Sequence, residues 1–545
     1  MTTEKWFYEK NTELIESPVN VTFDEVLTMT DQEFRSWVIN LRSTVVDLWD
    51  NKGIPPRVGY NEQEIIENFR KMVSFPVHTF ECVDELTGEK DVIRNTSVIG
   101  NAVNQFFPTM MKTKISYSSK GNARSIYDYF ADEELLDTFV TYASRHFKRD
   151  SFYHYSSPIS VDDLLNIGNQ THKVVDAESF IEWFENNIRD RYPYNYWLCP
   201  VKENKKYTGY NSTLMKKQDI LVGHDVAVPE ECRTNVDINR SSTYTIRLYK
   251  KGQKLFPIGL KAFRVSFCQY AVNFPPLTAK YLYEKYISHI PKDEKVIIYD
   301  PSSGWGGRLL GAMSISGDRI VHYVGTDPNT EHNTTPGRTK YHEVADFFNN
   351  NIRLNGTLFE EHHTYEIFQR GSEVIADDPK FHKYRDKLDL IFTSPPYFSK
   401  EVYSDDPEQS CHKFKQYEDW RDNFLKPTLE TCVEYLKSDR YLLWNIADIA
   451  LDGKLLTLED DSYTILENLG MEYVTTLKMS LAPMPGGNRM VDTGETETLK
   501  KNTLYGVEEE EVALVKGSMK NYCQIKSGNK KLMLKYEPVF VWKKP

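Results

Sequence analysis

Apolar residues recur at helical spacing along the first part of the chain. Thr30-Asp-Gln-Glu33 has the form of a capping box, and Phe34, Trp37, Val38, Leu41, Val45 and Leu48 follow on one face. Lys52-Gly53 supplies the stop. Asn61-Glu-Gln-Glu64 opens a second predicted helix carrying Ile65, Ile66, Phe69 and Met72, and residues 176–191 read as a third. Stripes of this kind are core-facing surfaces rather than binding sites. The acid run Glu508 to Glu511 reads as a solvated loop.

Near residue 240 the pattern changes to alternation, as in Thr243-Tyr-Thr-Ile-Arg-Leu-Tyr249. Beyond it, strand and helix patterns take turns. Pro275 and Pro276 precede a predicted helix. Strands are expected at Val296 to Tyr299, Val321 to Gly325, Leu388 to Thr393, Tyr441 to Ile446 and Glu537 to Trp542. Helices are expected from Arg308 to Met313, Tyr341 to Arg353 and Trp420 to Leu436. This alternation predicts a parallel α/β sheet covered by helices, with its ligand site at the carboxyl ends of the strands. A boundary is expected near residue 255, leaving 1–255 and 256–545 as two domains.

Composition narrows the class. The chain has 545 residues, 40% apolar and 27% charged, with 34 tyrosines, which fits a folded globular protein and not a disordered one. Apolar stretches such as Tyr441 to Leu451 are too short to span a bilayer, and no apolar signal core follows Met1, so a cytoplasmic protein without membrane contact is expected. The seven cysteines lack C-x-x-C spacing and read as reduced thiols; His362-His363 reads as structural, and no metal site is expected. Net charge is −12, yet residues 202–261 carry 12 Lys+Arg against 6 Asp+Glu, interleaved with Tyr207, Tyr210, Tyr244 and Tyr249. That segment fits either a surface that tracks phosphates or a solvated β-rich face.

Two motifs carry chemistry. Asp300-Pro-Ser-Ser-Gly-Trp-Gly-Gly-Arg308 lies between a strand and a helix, where Pro301 follows the acid and Gly304, Gly306 and Gly307 permit a tight turn and close ligand approach. Such a turn also fits a dinucleotide phosphate, or no ligand at all. An acid at the strand end, however, opposes a pyrophosphate and suits the ammonium group of an amino-acid-bearing cofactor. Asp327 ends the next strand, where a carboxylate can accept from both hydroxyls of a ribose. The pair suits S-adenosylmethionine; the bland alternative is that each aspartate caps the helix after it. The second motif, Thr393-Ser-Pro-Pro-Tyr-Phe398, ends a strand with a rigid turn. The Ser394 hydroxyl and the Pro395 carbonyl can each accept from one amino group, Pro396 stiffens the turn, and Tyr397 offers a ring face to a flipped-out base.

With these two motifs in this order the sequence resembles the amino-directed DNA methyltransferases, which modify cytosine N4 or adenine N6. Supporting segments are Asn273-Phe-Pro-Pro, Phe398-Ser-Lys-Glu-Val-Tyr403, Tyr417-Glu-Asp-Trp420, Leu443-Trp-Asn-Ile-Ala-Asp448 and Tyr536-Glu-Pro-Val-Phe-Val-Trp542. The resemblance covers roughly 260–545. It implies a Rossmann-like methyltransferase fold: a largely parallel seven-stranded sheet with helices on both faces, preceded by a mixed, mainly helical N-terminal domain. It implies S-adenosyl-L-methionine as cofactor and DNA as partner. Asp300 and Gly304 would contact the methionine part and Asp327 the ribose, while Ser394, Pro395 and Tyr397 would hold the target. Serine at the first tetrad position resembles the cytosine-N4 enzymes more than the adenine-N6 enzymes. The resemblance also departs in places. Arg370-Gly-Ser-Glu373 lacks the usual acid after a glycine, and Pro328 to His363 is longer than a minimal connection. Target recognition would fall to residues 1–255. An RNA or protein N-methyltransferase, and a non-catalytic binding protein on the same fold, remain as alternatives.

Overall fold

The computed structural model describes residues 13–14, 16–56, 59–115, 123–147, 152–154, 196–203, 206–214, 244–249, 254–255, 271–315, 319–351, 363–451, 454–481, 496–503, 506–513, 521–527 and 530–545. The helix expected over 176–191 lies outside them. So do most side chains of the basic segment 202–261.

The early helices form where their caps place them. Helix α1 is Phe23–Thr28 and α2 is Asp31–Lys52; in α2 the Thr30 and Glu33 side chains satisfy each other's backbone N–H groups, and Gly53 closes the helix in the left-handed region. Helix α3, Glu62–Val73, has the same reciprocal cap from Asn61 and Glu64. With α4 (Ile126–Ala131) and α5 (Leu136–Phe147), α1 and α2 enclose a core of Phe34, Trp37, Leu41, Val45, Phe130 and Phe139.

The centre of the molecule is one ten-stranded sheet. Its strands are β1 (Glu81–Cys82), β2 (Val92–Ile93), β3 (Val296–Asp300), β4 (Val321–Thr326), β5 (Thr364–Phe368), β6 (Leu388–Thr393), β7 (Leu436–Asn445), β8 (Glu472–Ser480), β9 (Tyr522–Ser527) and β10 (Lys530–Lys543). Their order is β1-β2-β8-β10-β7-β6-β3-β4-β5, with β9 pairing to β10. The run β7-β6-β3-β4-β5 is parallel throughout. Strand β10 is antiparallel to both β7 and β8. Leaving aside β1, β2 and β9, seven strands remain, and in chain order they lie third, second, first, fourth, fifth, seventh, sixth. This is a doubly wound α/β fold whose order reverses between β3 and β6. Seven strands were expected; among the described residues the sheet has ten. Two-residue strands such as β1 and β2 leave no periodic signal in a sequence, and β9 is a hairpin partner outside the parallel run.

Helices cover both faces. Helices α6 (Pro276–Ile287), α7 (Gly307–Met313) and α8 (Lys340–Asn351) pack on one face, where Ile65, Phe69 and Met72 of α3 join the same core. Helices α9 (Lys426–Tyr435) and α10 (Leu458–Asn468) cover the other, around Tyr299, Trp420, Leu429, Trp444 and Trp542. The acid run Glu508 to Glu511 is not a loop: it lies in the strand Gly506–Ala513, which pairs with Thr496–Thr503. Its register sets Glu508 and Glu509 opposite Lys501 and Lys500. The alternating stretch near 243 forms the strand Tyr244–Tyr249 of a separate four-stranded sheet. Among the described residues no helix is long and apolar enough to cross a membrane.

Candidate functional site

Strands β3 and β6 are neighbours in the sheet, so the two loops at their carboxyl ends begin side by side at the point of reversal. Each ends on a polar residue, and the two meet: the Thr393 hydroxyl donates to Asp300 Oδ1 at 2.8 Å. The glycine-rich loop and the Ser-Pro-Pro-Tyr turn therefore share one rim.

Asp300 is fully buried and its partners are internal. Arg308 Nε donates to Oδ2 at 2.9 Å, the Tyr323 hydroxyl donates to the same oxygen at 2.7 Å, and the Ser302 amide reaches Oδ1 at 3.2 Å. Arg308 is itself buried between the rings of Phe274 and Phe392, and its guanidinium also bonds the Ser302 carbonyl. A buried charge is tolerated only when paired and hydrogen-bonded, and these groups satisfy that requirement for each other. Asp300, expected to meet the ammonium group of a cofactor, is here paired with Arg308.

The loop itself is shaped by backbone. Pro301 begins it, and its carbonyl accepts the Thr326 hydroxyl. Gly304 has φ +58°, the left-handed region that favours glycine, and a Cβ there would touch Arg308 and the Ser302 carbonyl only at van der Waals distance, 3.9 Å. Gly306 is the N-cap of α7. Gly307 is required by contact: a Cβ there would come within 2.2 Å of the Phe274 carbonyl. That contact exists because Asn273-Phe-Pro-Pro lies against the loop, with Asn273 Nδ2 donating to the Trp305 carbonyl and to Asn104 Oδ1, both at 2.8 Å.

Asp327 follows β4 and faces the same loop. Its oxygens accept from the Gly304 amide at 3.1 Å and the Asn329 amide at 3.0 Å. Neither aspartate is an N-cap; α7 is capped by Gly306 and the short turn after Asp327 by Asn329, which removes the capping alternative. Burial raises the Asp327 carboxyl to about 6, against the lowering effect of those amides and of Tyr341. Beside it, His332 is buried and held near 3 by desolvation, so its ring is neutral at physiological pH. His332 pairs with the Tyr341 hydroxyl at 2.9 Å, which donates to the Gly304 carbonyl at 2.6 Å. The sequence did not single out His332 or Tyr341, because neither sits in a recognisable motif.

In the catalytic-type turn, Ser394, Pro396 and Tyr397 are half-buried and Pro395 is buried. Phe398 takes φ +51°, a left-handed conformation uncommon for an aromatic residue, and so bends the chain sharply after Tyr397. The Tyr397 hydroxyl donates to Glu537 Oε1, with the Asn445 carbonyl at 3.4 Å. Burial and the Glu537 charge push the Tyr397 hydroxyl well above its ordinary value. Burial likewise raises Glu537 and its neighbour Glu401.

The chain after the turn reaches back to the glycine-rich loop. Glu401–Val402 pairs antiparallel with Lys114–Ile115. Tyr403 packs edge-on to Trp305 at 5.3 Å. Asp406 accepts from the Thr330 amide at 2.9 Å, and Lys413 pairs with Glu373 at 2.7 Å. Glu373, in the segment that departs from the family pattern, is thus engaged by this loop.

No protein-family profile matches the chain, and no curated protein matches it. Among solved structures it is similar to a putative class I S-adenosylmethionine-dependent methyltransferase from Listeria monocytogenes, at 17% identity over 49% of this chain and 58% of that one, with a TM-score of 0.25. It is similar to a putative DNA modification methylase from Thermus thermophilus, solved in complex with S-adenosyl-L-methionine, at 17% identity over 32% of this chain and 52% of that one, with a TM-score of 0.17. A TehB-like S-adenosylmethionine-dependent methyltransferase from Corynebacterium glutamicum matches at 13% identity over 53% of this chain and 94% of that one, with a TM-score of 0.22. The chain spans little more than half the length of the Listeria and Thermus proteins.

Proposed function

We propose that this chain transfers a methyl group from S-adenosyl-L-methionine to an exocyclic amino group of a DNA base, with cytosine N4 favoured over adenine N6. One observation carries the reading: the glycine-rich loop and the Ser394-Pro395-Pro396-Tyr397 turn leave adjacent strands at the reversal of the sheet and are joined by the Thr393–Asp300 hydrogen bond.

The residues fit the cofactor at two places. Each Asp327 oxygen accepts one backbone amide and keeps capacity for a further donor, as two ribose hydroxyls would supply. Without a side chain, Gly304 lets an aminoacyl chain approach the loop backbone. Asp300 is assigned to shaping the loop through Arg308. When bound, the cofactor supplies an electrophilic methyl group on a positively charged sulfur.

Ser394 and the Pro395 carbonyl accept the two amino hydrogens of the target and so turn the nitrogen lone pair out of the ring plane. Tyr397 supports the flipped base by stacking, which offsets part of the few kcal/mol that flipping costs. The nitrogen attacks directly, so no cysteine nucleophile is needed. Acceleration on this route comes from positioning and from fixed dipoles in a dry cleft.

Labelled cofactor presented separately with DNA, RNA and protein tests the reading. Label in DNA is expected, and mass spectrometry of the digested nucleosides then separates N4-methylcytosine from N6-methyladenine. Label in RNA or protein alone overturns the substrate, and cofactor binding without transfer to any polymer overturns the enzyme. Ser394→Ala and Tyr397→Ala are each expected to lower turnover roughly a hundredfold with cofactor affinity nearly unchanged.

A further inference from the structure

Both polar groups of the Gly304 backbone are engaged by side chains. The amide donates to Asp327 at 3.1 Å, and the carbonyl accepts from the Tyr341 hydroxyl at 2.6 Å. The set of the glycine-rich loop at this position therefore depends on what holds the tyrosine.

A carbonyl can only accept, so the Tyr341 proton lies toward Gly304. The phenol oxygen keeps lone pairs for a donor, and the group at 2.9 Å is His332 Nδ1. Nδ1 therefore carries a ring proton. Desolvation keeps the ring neutral, so Nε2 is a bare acceptor. Two donors face it: the Thr109 hydroxyl at 3.3 Å and Asn329 Nδ2 at 3.4 Å. Asp327 Oδ1 stands 4.0 Å from Nδ1, too far to take the proton in place of Tyr341. Each link has one direction, from Thr109 to His332 to Tyr341 to Gly304.

Packing follows the same path. The Phe107 ring lies edge-on to His332 at 5.1 Å and tilted to Tyr341 at 5.3 Å. A Cβ on Gly306 would come within 2.9 Å of Phe107 Cε2, so the ring sits tight against the loop. The next carbonyl, that of Trp305, is held by Asn273 Nδ2, which also donates to Asn104 Oδ1. Asn104, Phe107 and Thr109 all come from the first part of the chain, where target recognition was expected.

We propose that His332 is a positioning residue for the cofactor: as the middle link of a directed hydrogen-bond chain from Thr109 to the Gly304 carbonyl, it fixes the loop backbone against which the aminoacyl part lies. The first part of the chain thereby completes the cofactor site. This rests on the S-adenosylmethionine reading above and adds to it residues outside both motifs.

Calorimetry on the full chain tests it with two ligands, S-adenosylhomocysteine and methylthioadenosine; the second shares the adenosine and sulfur but lacks the aminoacyl chain. Tyr341→Phe, which keeps the ring against Phe107, and His332→Leu are each expected to raise the S-adenosylhomocysteine Kd roughly five- to tenfold and to leave the methylthioadenosine Kd within about twofold. The double variant is expected to be no weaker than the worse single one, because both break the same chain. His332→Asn, whose amide N–H can stand in for Nδ1–H, is expected to bring the S-adenosylhomocysteine Kd back to within about threefold of the wild type. Thr109 is half-buried, so Thr109→Val serves if the core variants do not fold, with a rise of about two- to threefold confined to S-adenosylhomocysteine. Equal weakening of both ligands, unchanged affinity in Tyr341→Phe or Thr109→Val, or His332→Asn as weak as His332→Leu overturns the proposal. No polymer enters this measurement, so the DNA reading can fail in the labelling experiment while the chain of residues stands. A wild type that binds neither ligand removes the cofactor reading and the proposal together.

Discussion

At the scale of single residues the site divides into groups whose charge is settled inside the protein and groups that face the cleft. Asp300 and Arg308 belong to the first kind and Asp327 to the second. The carboxyl of Asp327 stands at about 6, above its ordinary value, because the charged form is desolvated. The sign follows directly. Without cofactor, this group favours the fold when protonated, and that contribution is lost as pH rises through about 6. Cofactor hydroxyls donate to the charged form, so affinity is expected to be full above about 6 and to weaken as pH falls through it. Asp327→Asn keeps only one of the two oxygens that accept the Gly304 and Asn329 amides and turns an NH2 group on the other, so it is expected to lower the melting temperature of the apo protein. It is also expected to weaken cofactor binding roughly ten- to hundredfold and to flatten its pH dependence, as calorimetry at pH 5 to 8 would check. Asp327 was legible because it follows a strand pattern ending in Gly-Thr-Asp. Glu537 was legible only as a strand residue, since its contact with Tyr397 spans 140 positions of the chain.

Among elements, long amphipathic helices and the buried strands β3 and β6 were readable because period and caps agree there. Thr30 with Glu33, and Asn61 with Glu64, cap the helices their spacing predicts. Strand β8 was missed because its residues 472–474 are exposed and carry no alternation. The acid run of 508–511 reads as loop on composition, yet its backbone pairs as a strand with Thr496–Thr503. Helix α7 depends on its approach to the segment before α6. Gly307→Ala would press a methyl group on the Phe274 carbonyl and Asn273, so a loss of about 1–3 kcal/mol in stability is expected, with weakened cofactor binding, measurable by denaturant titration with and without cofactor. Thr30→Ala, remote from the site, is expected to cost about 1 kcal/mol and leave cofactor affinity unchanged.

For the whole molecule, the reversal of strand order follows from alternating strand and helix patterns, but the placement of strands from the early chain does not. Residues 81–93 join the sheet through contacts nearly four hundred positions apart in sequence, such as Lys478 with Asp84 at 2.6 Å and Asp91 at 2.8 Å, and no local period records them. The charge distribution bears on DNA binding at this scale too. With −12 overall and a local excess of lysine and arginine at 202–261, DNA affinity is expected to fall steeply with salt as counterions are released. A flat salt response in a filter-binding series would rule that segment out as the contact surface.

Strand β2 lies along β8 in parallel register, Val92 beside Lys478 and Ile93 beside Met479, and so occupies hydrogen-bonding groups that would otherwise face solvent. A truncated chain starting at residue 256 would bare that ribbon edge and, with it, the apolar wall that Phe69, Phe80 and Phe106 supply. Such a fragment is expected to self-associate through the uncovered margin, visible as oligomers in light scattering, while the intact chain carries its own built-in shield against that fate.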